Sequence, residues 1–151
     1  MRLSSQSPSP WLHISRPNPQ ARLRIFCFPY AGGGASLYRL WHQHLPEFVE
    51  VCAVQLPGRE NRIQEERFTD IDALTRTLSP TLSSYLDKPF ALFGHSMGAL
   101  IAYETAQRLH RQQGPLPSHL FVSGRRAPFL PGSEAMLHTI PSDTEFLAAL
   151  K

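Results

Sequence analysis

The sequence predicts an α/β fold in which a mostly parallel sheet carries helices on both faces. Apolar segments rich in β-branched and aromatic residues recur at 22–28, 49–56, 90–95 and 119–124, as expected for strands. Segments with helical spacing of apolar residues alternate with them, and the sequence has no internal repeat. Strands and helices that alternate in this way build right-handed crossovers between parallel strands.

Composition limits the function classes to which the chain can belong. Hydrophobic residues make up 42% of the 151 residues and charged residues 18%, which is typical of one globular domain with a core. The net charge is only +3 and the basic residues are dispersed, so nucleic-acid binding is not expected. No apolar run reaches about 18 residues, so no membrane span is expected either. We expect a monomeric, cytoplasmic protein.

The chain divides into three parts by composition. Residues 1–10 are rich in Ser and Pro and lack the apolar core of a signal peptide, so we expect a disordered tail. Residues 11–128 form the predicted core domain, and residues 129–151 become loop-rich before a short helix with a capping box. Cys27 and Cys52 fall inside predicted strands, which indicates buried thiols in a reducing compartment rather than a disulfide.

The first strands lead into a glycine-rich loop. Residues 11–14 are expected to form a short edge strand, which Pro17 keeps brief. Residues 22–28 form the first full strand, and the loop 29–36 follows with three consecutive glycines. This loop is either a flexible turn or a place where backbone N–H groups approach a developing negative oxygen, because glycine lets the backbone come close. The serine motif described below favours the second interpretation.

The next elements are two helices that flank a strand. Residues 36–48 are predicted to form a helix with one apolar face and with Ser36 as its N-cap. The strand 49–56 follows, with partial alternation of apolar residues. A helix is predicted over 69–86, and Pro80 should kink it or split it in two.

A Pro-Gly turn after the second full strand carries a charged cluster. Its members are Arg59, Glu60 and Arg62. The simplest interpretation is a solvated loop held by ion pairs, which contributes little to stability. The alternative is that Arg59 or Arg62 meets an anionic group of a substrate, because guanidinium binds planar anions well.

The central motif is Gly-x-Ser-x-Gly, with Gly94, Ser96 and Gly98 between a predicted strand and a predicted helix. In this context the motif is typical of the nucleophile elbow of an α/β-hydrolase-type fold, which holds the serine at a tight, strained turn above the sheet edge. The two glycines are required because side chains there would collide with the neighbouring strand and helix. The backbone N–H of Met97 is the first expected oxyanion donor, and the loop 29–36 is where this architecture has the second.

The segment after the motif predicts one more helix and one more strand. The helix turns its apolar residues inward and its polar residues, Arg108 among them, outward. The strand 119–124 ends in Arg125 and Arg126. Because parallel strands end at one edge of the sheet, these arginines lie at the same edge as Ser96, either as exposed residues or as substrate contacts.

A serine nucleophile needs a general base and an acid that orients the base. In this architecture the chain order is Ser, then Asp or Glu, then His. No histidine is expected to serve, because each lies at the turn, on a helix, at the far end of a strand or in the loop-rich segment: His95, His110, His119 and His138. The late acids lie in that segment as well: Glu134, Asp143 and Glu145. We therefore expect an incomplete chain, without the triad acid and base and without the later core strands.

Three segments together resemble the type II thioesterases, the stand-alone editing enzymes of nonribosomal peptide and polyketide synthesis. They are 28–36, Phe-Pro-Tyr-Ala-Gly-Gly-Gly-Ala-Ser; 55–60, Gln-Leu-Pro-Gly-Arg-Glu; and 94–98, Gly-His-Ser-Met-Gly. The segment 55–60 is the most specific, because Gly-x-Ser-x-Gly is shared by all α/β-hydrolase groups. Residues 140–147 also resemble the start of that family's lid, so the resemblance covers residues 12–151.

The resemblance implies a serine thioesterase that releases acyl groups from the phosphopantetheine arm of carrier-protein domains. Ser96 would be the nucleophile, and the backbone N–H groups of Met97 and Ala31 would hold the oxyanion. The implied partners are the acyl or peptidyl carrier domains of a synthase, and no cofactor or metal is expected. The family has an Asp after a later strand and a His near its C-terminus, and this chain ends before both.

Three other hypotheses stay open at this point. The first is another α/β-hydrolase that acts on oxygen esters, against which the segment 55–60 argues. The second is a chain that binds carrier protein without turnover. The third is a fragment that does not fold stably, because its sheet would expose an open edge where later strands pair.

Overall fold

Five strands form one sheet in a computed structural model that describes residues 9–127 and 130 of the chain. Their order across the sheet is β1-β3-β2-β4-β5. Strand β1 pairs antiparallel with β3, and the other pairs are parallel, so the mostly parallel sheet and the short edge strand are confirmed. The strands are β1 (Leu12–His13), β2 (Leu23–Phe28), β3 (Val49–Val54), β4 (Phe90–His95) and β5 (His119–Ser123).

The central strand β2 has both of its faces buried. Phe26 pairs in register with Cys52 on one side and with Leu92 on the other, and all three are fully buried. Because side chains alternate across a strand, Phe28 packs on the same face as Phe26, and Cys27 packs on the opposite face. This arrangement explains the nearly continuous apolar sequence of the strand.

The two faces of the sheet are covered by different kinds of helix. The helices α1 (Ile71–Ser83) and α2 (Met97–Arg111) pack on one face, with Leu78 and Ile101 fully buried against the sheet. The other face is covered by two short 3-10 turns, Ala35–Tyr38 and Trp41–Gln43. Both faces are therefore covered as expected, although α-helices lie on only one of them among the described residues.

The prediction of an α-helix over 36–48 is wrong. Its place is taken by the two 3-10 turns, and Ser36 caps neither of them, because its hydroxyl bonds the Glu60 carboxylate instead. Gly34 precedes the first turn in an extended conformation. The aromatic contacts still form, since Trp41 packs against Phe93 of β4 with ring centroids 4.8 Å apart. The apolar pattern thus located the contact surface correctly but not the helix type.

Helix α1 is one continuous helix from Ile71, although Pro80 lies inside it. Asp70 caps its start by accepting from the N–H of Asp72 at 3.2 Å and of Ala73 at 3.0 Å. The proline does not split the helix, because it stands in the last turn and removes a single backbone hydrogen bond near the end. The predicted bounds of 69–86 were too wide at both ends.

Arg108 of α2 does not point outward as predicted. Its side chain is only 13% exposed and lies between the two helices. It donates to the hydroxyl of Thr75 at 3.1 Å and forms an ion pair with Asp72. Spacing alone places a residue on the outer half of a helix, but a neighbouring helix covers that half here.

Strand β5 is the second edge of the described sheet, and all five of its residues are exposed. The expectations for the tail before residue 9, and for the segment 129–151 apart from Leu130, lie outside the described residues. Within the described part, neither helix has the length and apolar character needed to cross a bilayer.

Candidate active site

Ser96 lies at the sharp turn between β4 and α2. Its backbone angles are φ 53° and ψ −116°, a conformation that residues with a Cβ atom rarely adopt. Its N–H donates to the carbonyl oxygen of Ser123 on β5 at 2.8 Å, and its own carbonyl oxygen accepts from the N–H of Ala99 at 3.1 Å. The expected strand, strained turn and helix are therefore present, and the serine side chain is half-buried at the carboxyl edge of the parallel strands.

The two glycines of the motif lie against backbone atoms. A Cβ atom at Gly94 would come 2.0 Å from the carbonyl oxygen of Gly98. A Cβ atom at Gly98 would come 2.1 Å from the carbonyl oxygen of Phe28, the last residue of β2. The collisions with helix and strand that the sequence predicts are therefore found, and backbone carbonyls cannot move aside as side-chain ends can. These contacts fix the distance between β2, β4 and the start of α2.

The glycine-rich loop leaves the sheet beside this turn. Phe28 pairs in register with Gly94, so the residues that follow each of them emerge at the same edge. The ring of Tyr30 meets the ring of His95 edge-on with centroids 6.1 Å apart. Ala31 comes next in the loop, and its expected partner in the oxyanion site, Met97, is the first residue of α2. The two predicted donors thus belong to chain segments that meet at Ser96.

The N-terminus of α2 supplies a favourable field at this edge. The first N–H groups of an α-helix have no acceptor within the helix, and the helix dipole places partial positive charge there. Met97 is the first helical residue, so its N–H is one of these groups. The geometry can therefore stabilise negative charge that develops on an oxygen next to Ser96.

Tyr38 was not singled out from the sequence, but it fixes the end of β2. Its side chain is 4% exposed, and its hydroxyl donates to the carbonyl oxygen of Phe28 at 2.7 Å. Burial raises the pKa of the Tyr38 phenol above its ordinary value. The signal that could have found it is its helical spacing from Trp41, which forms the same aromatic cluster.

In the charged cluster after β3, Glu60 is exposed as predicted for a solvated loop, but Arg62 is not. Arg62 is 7% exposed, donates to the carbonyl oxygen of Gln55 at 2.9 Å and pairs with Glu65 at 2.5 Å. Its guanidinium also lies over the ring of Trp11, 4.4 Å from the centroid. These contacts use its donors in the fold, so the alternative in which Arg62 meets a substrate anion is not favoured.

Arg59 occupies a different position from Arg62. It lines a small cavity of about 90 Å³ together with Met97, Arg67 and Phe68. Its Nε atom is buried without a hydrogen-bond partner among the described residues, while one terminal nitrogen donates to the carbonyl oxygen of Gly58 at 2.9 Å. Arg125 and Arg126 are exposed after the end of β5. The contact of these arginines with a substrate stays a prediction.

No described side chain hydrogen-bonds the Ser96 hydroxyl. His95 lies instead with its Nδ1 atom 3.1 Å from the hydroxyl of Ser123, consistent with the expectation that it diverges from Ser96. His110 is exposed in the last turn of α2, and His119 begins β5 at the opposite end from Ser96. The remaining candidates, His138, Glu134, Asp143 and Glu145, lie outside the described residues. Within 9–127 and 130, His, Cys, Asp and Glu form no three-membered cluster suited to a metal ion.

The sheet is mostly parallel, and a serine at positive φ lies between a strand and a helix with a glycine two residues to either side. These features together define a fold of the α/β-hydrolase type. The model of the thioesterase domain family matches residues 23–151. The chain therefore belongs to the thioesterase family.

Individual relatives agree with this assignment. The chain is 46% identical over 151 residues to a protein of Brevibacillus parabrevis named linear gramicidin dehydrogenase LgrE, covering 100% of this chain and 57% of that protein. The structure of the type II thioesterase BorB from the borrelidin biosynthetic cluster superposes with a TM-score of 0.82 at 38% identity, covering 97% of this chain and 59% of BorB. The structure of the thioesterase RedJ of the prodiginine pathway in Streptomyces coelicolor superposes with a TM-score of 0.77 at 42% identity, covering 99% of this chain and 53% of RedJ. The chain thus spans somewhat more than half the length of these relatives.

Proposed function

We propose that this protein is a serine thioesterase in which Ser96 is the nucleophile. The observation that carries the proposal is the backbone of Ser96, held at φ 53° between β4 and α2. A strained serine at the carboxyl edge of a parallel sheet exposes its hydroxyl to a substrate, and the helix behind it favours negative charge. Family membership makes a thioester the expected substrate.

The chemistry follows from the groups around Ser96. The serine oxygen attacks the thioester carbonyl carbon while a base accepts the hydroxyl proton, and the carbonyl oxygen becomes negative. Residues 9–127 and 130 hold no such base against Ser96, so the base must come from outside this described part. The N–H groups of Met97 and Ala31 are the proposed donors to that oxygen. The C–S bond then breaks, the thiolate leaves and is protonated, and an acyl ester remains on Ser96. Attack by water on this ester releases the free acid and restores the serine.

We further propose that the thioester is carried on the phosphopantetheine arm of a carrier-protein domain. Two similar structures, BorB and RedJ, belong to biosynthetic pathways of natural products. The segment 55–60 supports the same substrate class, because it is the part of the resemblance most specific to editing thioesterases.

The name of the Brevibacillus relative suggests dehydrogenase chemistry, which the loop after β2 does not favour. A dinucleotide site needs the pattern G-x-G-x-x-G between a strand and an α-helix. Gly32 and Gly34 could supply its first two glycines, but Leu37 stands where the third would be, and a 3-10 turn replaces the helix. The hydrolase remains the function that the local geometry supports.

The test compares acyl release from a carrier domain that bears an acyl-phosphopantetheine arm with hydrolysis of a matched oxygen ester. We expect preference for the thioester and loss of release in Ser96→Ala by about 10³-fold or more. Ser84→Ala, at the exposed C-terminal end of α1, is the matched control and should leave the rate unchanged.

The other outcomes separate the competing hypotheses. Preference for the oxygen ester would favour an ester hydrolase. Carrier binding without acyl release, unchanged in Ser96→Ala, would favour a chain that binds its partner without turnover. Release that persists at the original rate in Ser96→Ala would remove the serine from the mechanism.

A further inference from the structure

The glycine-rich loop 29–36 is held from both ends by other parts of the chain. At its start, Phe28 is fixed by the Tyr38 hydroxyl at 2.7 Å, and the N–H of Gly33 closes a turn on the carbonyl oxygen of Tyr30 at 3.0 Å. Ala31 lies inside this turn. A run of three glycines has wide conformational freedom, so a defined position for the Ala31 N–H requires anchors on the far side of the loop as well.

Gln55 provides the first anchor on the far side. Its side chain is 3% exposed, and its Oε1 atom accepts from the buried N–H of Ala35 at 2.8 Å. Its Nε2 atom donates to the carbonyl oxygen of Arg59 at 3.0 Å. One amide group therefore joins the glycine-rich loop to the loop that follows β3, and leaves neither of its polar ends unpaired.

Glu60 provides the second anchor. Its carboxylate accepts from the N–H of Ser36 at 3.3 Å and from the Ser36 hydroxyl. Gly34 lies directly against it, since a Cβ atom there would come 2.4 Å from the Glu60 carboxyl carbon. Glu60 itself has φ 44°, a conformation disfavoured for a residue with a Cβ atom. Strain of this kind persists only where surrounding contacts enforce it.

We propose that Gln55 and Glu60 are positioning residues that preorganise the oxyanion site, because they hold the loop that carries the Ala31 N–H beside the Met97 N–H. The inference rests on the proposed function in assigning Ala31 as a donor. Neither side chain touches the reacting atoms. Their effect is to keep one donor in place before charge develops, which is when a fixed dipole is most effective.

The first experiment measures the anchor without relying on activity. Amide hydrogen exchange is followed by NMR in the 151-residue chain and in Gln55→Met, which keeps the side-chain length but removes both hydrogen bonds. Exchange at Ala35, and at Gly33 whose N–H closes the turn around Ala31, should accelerate about 10-fold, while Leu92 in the core of β4 is unaffected. Gln64→Met is the matched control, because Gln64 is exposed. Unchanged exchange at Gly33 and Ala35 in Gln55→Met overturns the inference.

The second experiment measures the oxyanion site with an alkyl boronic acid. The Ser96 oxygen adds to the trigonal boron, its proton passes to water, and the tetrahedral boronate anion places an oxygen in the site. We expect the dissociation constant to rise about 10-fold in Gln55→Met and less in Glu60→Gln, which retains one acceptor oxygen for Ser36. Gln64→Met and Glu66→Gln, both exposed on the same loop, should bind as the unmodified chain does.

The two proposals fail in different ways. If the unmodified chain and Ser96→Ala bind the boronic acid equally, Ser96 is not the nucleophile, and the exchange measurement still decides whether the anchor exists. If binding depends on Ser96 but Gln55→Met and Glu60→Gln bind like their controls, the proposed function stands and the positioning role is wrong. Should Gln55→Met not fold, Glu60→Met, which removes both acceptor oxygens, decides the matter by exchange at Gly33 and Ser36, and unchanged rates overturn the inference.

Discussion

Gly94 and Gly98 approach so closely that a Cβ atom on the first would lie 2.0 Å from the carbonyl oxygen of the second. This contact joins the end of β4 to the first turn of α2 across the serine between them. The tightness of the turn is therefore set by contact between backbone atoms, with no flexible side chain that could move aside to make room.

Substitution of these glycines should test that conclusion directly. We expect Gly94→Ala and Gly98→Ala each to destabilise the fold by about 3 kcal/mol, because a backbone carbonyl must move to admit the methyl group. Urea denaturation followed by circular dichroism gives the free energy of unfolding. Gly114→Ala is the control, since its nearest contact would be an ordinary 3.5 Å. Equal losses at all three positions would contradict the close-approach argument.

The strained backbone of Ser96 predicts a difference between two variants that both lack the hydroxyl. Ser96→Gly should be more stable than Ser96→Ala by about 1 kcal/mol, because glycine adopts a φ of 53° without a Cβ clash. Chemical denaturation of the two variants side by side measures this. At an unstrained position glycine is normally the less stable choice, so the opposite order would show that the turn is relaxed.

The burial of Arg62 predicts a structural penalty for a conservative change. Arg62→Lys should lose about 2 kcal/mol of unfolding free energy, because lysine cannot donate to the Gln55 carbonyl oxygen and to Glu65 at once while covering Trp11. Arg76→Lys on the exposed face of α1 is the control and should leave the urea midpoint unchanged. If the urea midpoint of Arg62→Lys equals that of the unmodified chain, the buried contacts of Arg62 contribute nothing measurable to stability.

The two cysteines should be unreactive in the folded chain. Both are fully buried, and burial raises the pKa of Cys52 from 9.0 to about 12 and that of Cys27 further. Neither thiol should react with a thiol-specific chromogenic disulfide at about pH 8, and both should react in denaturant. Rapid labelling of the native chain would show that the sheet opens on that timescale.

The same pKa shifts set the sign of a pH effect. A raised pKa means that the folded state holds the proton more tightly than the unfolded state. The stabilisation is therefore complete below the ordinary thiol value of 9.0 and is lost as the pH rises above it. The urea midpoint should therefore decrease as the pH rises above 9.0, and this decrease should be smaller in Cys52→Ala.

Much of the fold could be predicted from local signals. The apolar segments located four strands, and a Gly-x-Ser-x-Gly motif between strand and helix placed Ser96 at the turn where it is found. These signals are short-range, because a strand buried on both faces needs a continuous apolar run and the turn needs glycine at fixed positions.

The errors arose where partners distant in sequence decide the conformation. A helical pattern over 36–48 became two 3-10 turns, because Ser36 binds Glu60 and the aromatic residues pack on β4. Arg108 is covered by α1, and Arg62 is buried against Trp11. Each of these contacts joins residues more than 20 positions apart, so neither periodicity nor charge within the local segment reveals them.

The sequence by itself determined the fold class, the position of the serine turn and the family resemblance, because those depend on residue type at fixed local spacing. Only the tertiary structure decided how the glycine-rich loop is held. Gln55 and Glu60 lie 20 and 24 residues from the loop amides that they accept from. A hydrogen bond across that separation depends on how β2 and β3 pair, and the pairing brings the two loops to one edge of the sheet.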